Sequence, residues 1–148
     1  MTLSEEIKRL NSIFLDTAPV IYYIEAHSVF GPLVKEVVSC FHQDGLNSFS
    51  SVVTLTEVLS KPIEEGNDKL ARKFAEFLKY GRNLTLLEIS VSISERAGEL
   101  RERYPGLRTV DAIQIATAVE VGADAFLTND KKLKNVKEIK VLVLKDYL

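Results

Sequence analysis

The sequence predicts an α/β protein: a parallel sheet of about five strands with helices packed on both faces. Short β-like runs alternate with helical patterns along the whole chain, an arrangement that requires crossover connections and hence parallel pairing. Proline and glycine punctuate the helical patterns in the order expected at helix starts and ends.

The elements follow in order. A charged segment, "MTLSEEIKRLN", leads into the strand "SIFL" at 12–15. Pro19 opens the helical "PVIYYIE", and Pro32 opens "PLVKEVVSCFHQD", which Gly45 closes. "LNSFS" at 46–50 reads as the second strand and is followed by helices at 53–61 and 68–80. "LTLLEI" at 84–89 is the third strand, and helices at 92–104 and 109–121 follow it, the second stopped by Gly122. "DAFL" at 124–127 and "KVLVL" at 140–144 complete the sheet. "AHSVFGP" and "KPIEEGND" read as flexible connections. No repeat, low-complexity tract or long linker divides the chain, so residues 1–148 are expected to form one domain.

Composition narrows the function classes. Hydrophobic residues make up 46% of the chain, enough for a packed core. Nineteen basic against 21 acidic residues give a net charge of −2, so any nucleic-acid contact must use local patches and not a global positive field. The single Cys40 excludes an internal disulfide framework and a multi-cysteine zinc site. It fits a reducing compartment, and the cytoplasm is the expected location. The amino terminus lacks a signal-peptide core, and no apolar run approaches the roughly 18 residues of a membrane span.

The acids are the chemical signal. In "TVDAIQIATA", residues 109–118, a helical pitch of about 100° per residue sets Asp111 between Ile115 and Ala118, away from Gln114, Thr117 and Glu120. An inward carboxylate costs several kcal/mol unless a cation or donor meets it. Asp16 ends "SIFLD" and Asp130 ends "DAFLTND". Both stand just beyond a strand, at the edge where open parallel sheets bind ligands. Glu57 and Asp111 come early in helices whose amino ends open onto that edge, so four carboxylates can converge. Crowded like charges call for a hard divalent cation, and oxygen ligands suit Mg²⁺ or Mn²⁺. Each acid also has a structural reading. Asp16 and Asp130 suit helix caps, Asp111 gains from the dipole of its first helical turn, and Glu57 completes the capping-box pattern "TLTE" from Thr54, four residues before Lys61. His27, His42 and Cys40 show no context for catalysis.

The ordered set "FLDTAPVIYYIE", "TLTEVL", "TVDAIQIATA" and "FLTND" resembles the PIN domain, in particular the VapC-type toxin ribonucleases of toxin-antitoxin pairs, over Phe14 to about Leu144. The resemblance implies a three-layer fold with strand order 3-2-1-4-5 and metal-dependent hydrolysis of RNA. It assigns Asp16, Glu57, Asp111 and Asp130 to the four acidic positions that hold Mg²⁺ or Mn²⁺. It makes Thr128 a supporting hydroxyl that orients Asp130 or water, with Thr17 a weaker candidate for the same work. The first motif departs from the family's "DTS" or "DTN" by carrying Ala18, which removes a polar group beside the metal.

Substrate and partner contacts are expected at the rim. "KKLKNVKEIK" at 131–140 follows Asp130 with five lysines against one glutamate, so Lys131, Lys132 and Lys134 are candidate RNA contacts, with a solvated lysine face as the ordinary alternative. Arg101, Arg103 and Arg108 form a second basic group, but Glu99 and Glu102 interleave and suggest pairing along the helix. Tyr22 and Tyr23 read as core or helix-face residues. The apolar surplus of "PVIYYIE" and "FGPLVKEVV" offers a face for a cognate antitoxin or a second copy of the chain. Two other functions compete: a phosphoaspartate hydrolase, disfavoured because Ala18 replaces the second acid of its "DxD", and a weak or inactive PIN-like module that binds RNA or protein.

Overall fold

The computed structural model describes residues 1–148. Five strands form one all-parallel sheet: β1 (Ser12–Leu15), β2 (Asn47–Ser51), β3 (Leu84–Leu87), β4 (Ala125–Thr128) and β5 (Lys140–Val143). Their order is β3-β2-β1-β4-β5, as the resemblance implied. Seven helices surround the sheet: α1 (Leu3–Ile7), α2 (Thr17–Ile24), α3 (Gly31–Gln43), α4 (Val52–Glu64), α5 (Asp68–Tyr80), α6 (Val91–Arg103) and α7 (Thr109–Val121). None of them is long and apolar enough to cross a membrane.

Strand alternation divides the core between two faces. Ile13 and Leu15 of β1 join Ala125 and Leu127 of β4 against α1 to α5, around Val34, Phe41, Phe74 and Leu78. Phe14 and Phe126 point to the other face, where they stack at 5.4 Å between ring centres and pack against Leu100, Ala112 and Ile115 of α6 and α7. The same two residues are register partners, so the stacked pair fixes β1 against β4 as well as against the helices. Asp124 tightens that pairing by accepting the Asn11 and Ser12 amides at 2.8 and 3.1 Å. The Asp124 amide donates to the Ser12 hydroxyl at 3.0 Å, and β4 begins one residue later than its sequence pattern suggests.

Several boundaries move. Pro19 sits inside the first turn of α2, which starts at Thr17, and α3 starts at Gly31. The expected connection "KPIEEGND" is largely helical: α4 runs to Glu64 with Pro62 buried in its last turn. A short first helix, α1, also forms; Thr2 and Glu5 make a reciprocal capping box, and Leu3 and Ile7 anchor the turn in the core.

The amphipathic reading of α7 requires correction. Gln114 and Thr117 are fully buried, not on a solvent face. This helix lies between α6 and the sheet, so every side of its middle turns meets protein. Its polar groups are satisfied internally. The Gln114 Nε2 donates to Thr54 Oγ1 at 2.6 Å, Ser51 donates to the Gln114 carbonyl, and Thr117 returns its hydroxyl to the Ile113 carbonyl at 2.7 Å.

Candidate active site

The chain crosses from β1 to β2 on one side and places β4 on the other, which opens a crevice beyond the carboxyl ends of β1 and β4. Asp16 is the first residue after β1. Thr128 ends β4, and Asp130 follows two residues later. Glu57 approaches from α4 and Asp111 from the first turn of α7. All four carboxylates line one cavity of about 320 Å³, together with Thr17, Ala18, Tyr22, Arg108, Thr128, Asn129 and Lys145. Four acids from four elements therefore share one space.

Asp16 stands at the N-cap position of α2, yet its side chain caps nothing. Its Oδ2 instead accepts the Thr128 hydroxyl at 2.8 Å. Burial pushes its carboxyl up to about 6; the Thr128 bond pulls it back down, and the charges of Asp111 and Glu57 push it further up. Packed protein surrounds Asp16 while part of its surface stays open to the cavity. The Thr128 hydroxyl thus donates to Asp16 and not to the Asp130 carboxylate. Its oxygen meanwhile accepts the Asp130 amide at 3.2 Å, so one side chain fixes the backbone of one acid and the carboxylate of another.

Asp130 realises both of its readings: it lines the cavity and caps a short 3-10 turn, its Oδ1 accepting the Lys132 amide at 3.0 Å. Glu57 does not form the expected capping box. Ser51 caps α4, and Thr54 is buried against Gln114. Glu57 is exposed, forms no ion pair with Lys61, and accepts the Thr17 hydroxyl at 2.6 Å. Thr17 therefore serves Glu57 and not Asp130. Asp111 is inward as expected, 7% exposed, and the cation that meets it is Arg108. That guanidinium donates from Nε to Oδ2 at 2.9 Å and from Nη2 to Oδ1 at 3.3 Å. The carboxylate in turn holds Arg108 above its ordinary pKa.

The donor chemistry fits a hard divalent cation: every acidic ligand is an oxygen, and burial beside like charges is relieved by positive charge. Three acids nonetheless do not surround a common point, because Asp111 faces Arg108, Glu57 faces Thr17 and Asp130 caps its turn.

At the rim, Lys131 and Lys132 are exposed, whereas Lys134 donates to Asp146 at 2.5 Å. The pairing expected among Arg101, Arg103, Glu99 and Glu102 does not form: Arg103 pairs with Glu138, and Arg101 donates to the Leu107 carbonyl at 3.3 Å. Tyr22 and Tyr23 are half-buried. Tyr22 packs on Phe30 and accepts from Asn129 at 3.1 Å, and Tyr23 packs on Phe77. Sequence reasoning missed Asn129 and Lys145 at the cavity wall. Asn129 links the two walls by also accepting the Lys145 amide at 3.0 Å. The available signal was position: Asn129 lies between two residues already singled out.

The model of the family described as PIN domain matches residues 13–139, most of the chain and all four acids of the cavity. The chain belongs to the PIN domain family. Among solved structures, this PIN domain shares its fold with VapBC2 from Rickettsia felis bound to a promoter DNA fragment, at TM-score 0.69 and 17% identity over 89% of this chain and 98% of that one. DNA-bound VapBC from Salmonella typhimurium is similar at TM-score 0.63 and 18% identity, covering 90% and 98%. VapC20 from Mycobacterium tuberculosis, a toxin that cleaves the sarcin-ricin loop, is similar at TM-score 0.62 and 16% identity, covering 77% and 86%. No curated protein sequence matches this PIN domain significantly.

Proposed function

We propose that this PIN domain is a divalent-metal-dependent endoribonuclease and the toxin of a toxin-antitoxin pair. The observation that carries the reading is the meeting of Asp16, Glu57, Asp111 and Asp130 in one cavity at the switch point of a PIN sheet. The VapC20 structure, an RNA-cleaving toxin of the same fold, supports the reaction class. A bound Mg²⁺ or Mn²⁺ supplies the charge that activates water and steadies the developing phosphate charge. Asp16, Asp111 and Asp130 hold that ion, with Glu57 assisting through water or as a base. Thr128 keeps the Asp16 carboxylate aimed. Asp111 would hold the ion in place of its present Arg108 pair.

A cognate antitoxin is the proposed partner, supported by the VapBC complexes of the same fold. The surface for it is a groove of about 1110 Å³ between α2, α3 and α5, where Tyr23, Ile24, Phe77 and the 76%-exposed Tyr80 leave apolar area uncovered. A second copy of the chain competes for that face, and a monomer at micromolar concentration by light scattering excludes it.

The lack of a common point for three acids favours one alternative, a PIN-like module that binds RNA or protein without cutting. Cleavage of a structured RNA panel by wild type and Asp111→Asn, each with Mg²⁺, Mn²⁺ or chelator, separates the readings. Metal-dependent cutting that the variant lacks establishes the nuclease. Equal cutting by both proteins, or none together with no metal binding, overturns it.

A further inference from the structure

Two cationic side chains, Arg108 and Lys145, line the acidic cavity, and only one of them is occupied. Arg108 is spent on Asp111. Lys145 takes part in none of the chain's five ion pairs, although four carboxylates share its cavity. Its backbone, by contrast, is pinned. Lys145 belongs to the short 3-10 turn Leu144–Tyr147, which follows β5, and Val143 at the end of β5 is the register partner of Thr128 at the end of β4. The lysine therefore reaches the cavity from the same sheet edge as Thr128 and Asp130. Its amide donates to Asn129 Oδ1 at 3.0 Å, and Asn129 is held in turn by donating to the Tyr22 hydroxyl at 3.1 Å. Leu144 before it is buried in the core, Asp146 after it pairs with Lys134 at 2.5 Å, and Tyr147 bonds to Glu6. The turn lies beyond the residues 13–139 that the family model matches.

We propose that Lys145 is a catalytic residue of this site, its ammonium pairing with a non-bridging oxygen of the phosphodiester that sits at the four acids. The inference rests on the nuclease reading and names the group that receives the phosphate. One divalent cation does not balance four carboxylates, and an arriving phosphodiester adds a negative charge that grows as water attacks. The rest of the cavity wall repels that charge unless a second cation meets it. Lys131, Lys132 and Lys134 do not line this cavity, so Lys145 is the cation left for the reacting phosphate. A lysine that served only to neutralise the acids would be paired with one of them. A compact ammonium on a flexible stem acts as a point charge and can follow the oxygen as the phosphorus changes geometry.

The test compares wild type, Lys145→Ala, Lys145→Arg and Lys69→Ala, an exposed lysine of α5 outside the cavity, on the structured RNA panel in Mg²⁺. Lys145→Ala should lower kcat about hundredfold and raise KM less than about tenfold, because the contact strengthens as charge develops. Lys145→Arg should recover about tenfold of that loss, and Lys69→Ala should lose nothing. Mn²⁺ affinity by calorimetry should stay within about threefold in every variant, since Lys145 occupies no acid. Thermal melts confirm that the variants fold. Cleavage by Lys145→Ala within about threefold of wild type, or a loss that follows from weakened Mn²⁺ binding, overturns the assignment and leaves the nuclease standing. If no RNA of the panel is cut, calorimetry with 5′-UMP in Mg²⁺ reads the same contact: wild-type binding that Lys145→Ala weakens about tenfold supports the assignment, and equal or absent binding overturns it. A wild type that neither cuts RNA nor binds Mn²⁺ overturns the nuclease reading and this inference together.

Discussion

Arg108 clasps Asp111 with two nitrogens of one guanidinium, at 2.9 and 3.3 Å, while 74% of the arginine side chain remains exposed and the aspartate is almost wholly covered. The aspartate cannot leave, because α7 fixes it; the arginine can. A cation held at the cavity as proposed would compete with this solvent-exposed partner for a buried ligand. Replacing Arg108 by Gln should tighten Mn²⁺ binding several-fold in calorimetric titration, since one positive competitor is gone. Without metal the loss of stability should be modest, about 1 kcal/mol, because the arginine end of the pair is exposed and screened and the replacing amide can still donate to the carboxylate. Unchanged or weaker Mn²⁺ affinity would show that Arg108 does not oppose the ion.

Asp16 sets a pH dependence. Its folded pKa of about 6 lies above the ordinary 3.8, chiefly through burial, so the fold favours the protonated acid. A raised carboxyl pKa contributes stability that is present below the unfolded value and is lost as pH rises through the folded value. In chelator, the stability of wild type relative to Asp16→Asn should fall between pH 4 and pH 6 and level off above that window. At neutral pH the variant should be the more stable by a few kcal/mol at most, at roughly 1.4 kcal/mol per pKa unit. Denaturant titrations across that range measure it. A difference that stays flat with pH would mean that Asp16 is not desolvated.

Thr128 gives a prediction of the opposite chemical kind, in which a neutral group moves a charged one. Its hydroxyl lowers the Asp16 pKa by donating to the carboxylate. Removing the donor in Thr128→Val should move the acid limb of Mn²⁺ binding to higher pH by up to about one unit, and Thr128→Ser should restore it. Loss of binding without a shift of the limb would instead indicate collapse of the Asp130 turn, whose amide bonds the same hydroxyl.

Two of the four cavity acids were legible because they follow strands, and strands announce themselves by short apolar runs bounded by turns. Asp16 and Asp130 needed only that rule. Asp111 needed helical periodicity, which placed it correctly, but the same periodicity put Gln114 and Thr117 outside. Pitch describes which residues share a side; it does not say how many sides are covered. The middle of α7, from Gln114 to Ala118, is buried on consecutive positions while Glu120 stays exposed, and a nearly continuous apolar pattern was the only hint. Glu57 shows a different limit: "TLTE" matches a capping box, but Ser51, three residues before Thr54, already caps α4, leaving Thr54 for the core. The Arg108–Asp111 pair was hidden because Arg108 precedes the helix, where spacing rules for side-chain pairs do not apply. Contacts such as Arg103 with Glu138 join distant segments and leave no local trace.

The network around Gln114 yields the largest expected loss of stability. Its amide joins Ser51 at the end of β2 to Thr54 in the first turn of α4, and all three side chains are essentially without solvent access. Gln114→Ala takes away the acceptor of the Ser51 hydroxyl and the close donor to Thr54, and opens a void between the helix and the sheet. Each unmet buried polar group costs about 1–3 kcal/mol, and the void adds to this, so a loss of about 3–5 kcal/mol is expected by thermal or denaturant unfolding. The triple variant Ser51→Ala, Thr54→Val, Gln114→Leu should recover part of that loss and not all of it: the apolar trio leaves no buried hydroxyl unmet, but the Val53 amide loses its Ser51 cap. If Gln114→Ala were nearly neutral, water would have to replace the amide, and the tight seat of α7 that holds Asp111 in place would not depend on Gln114.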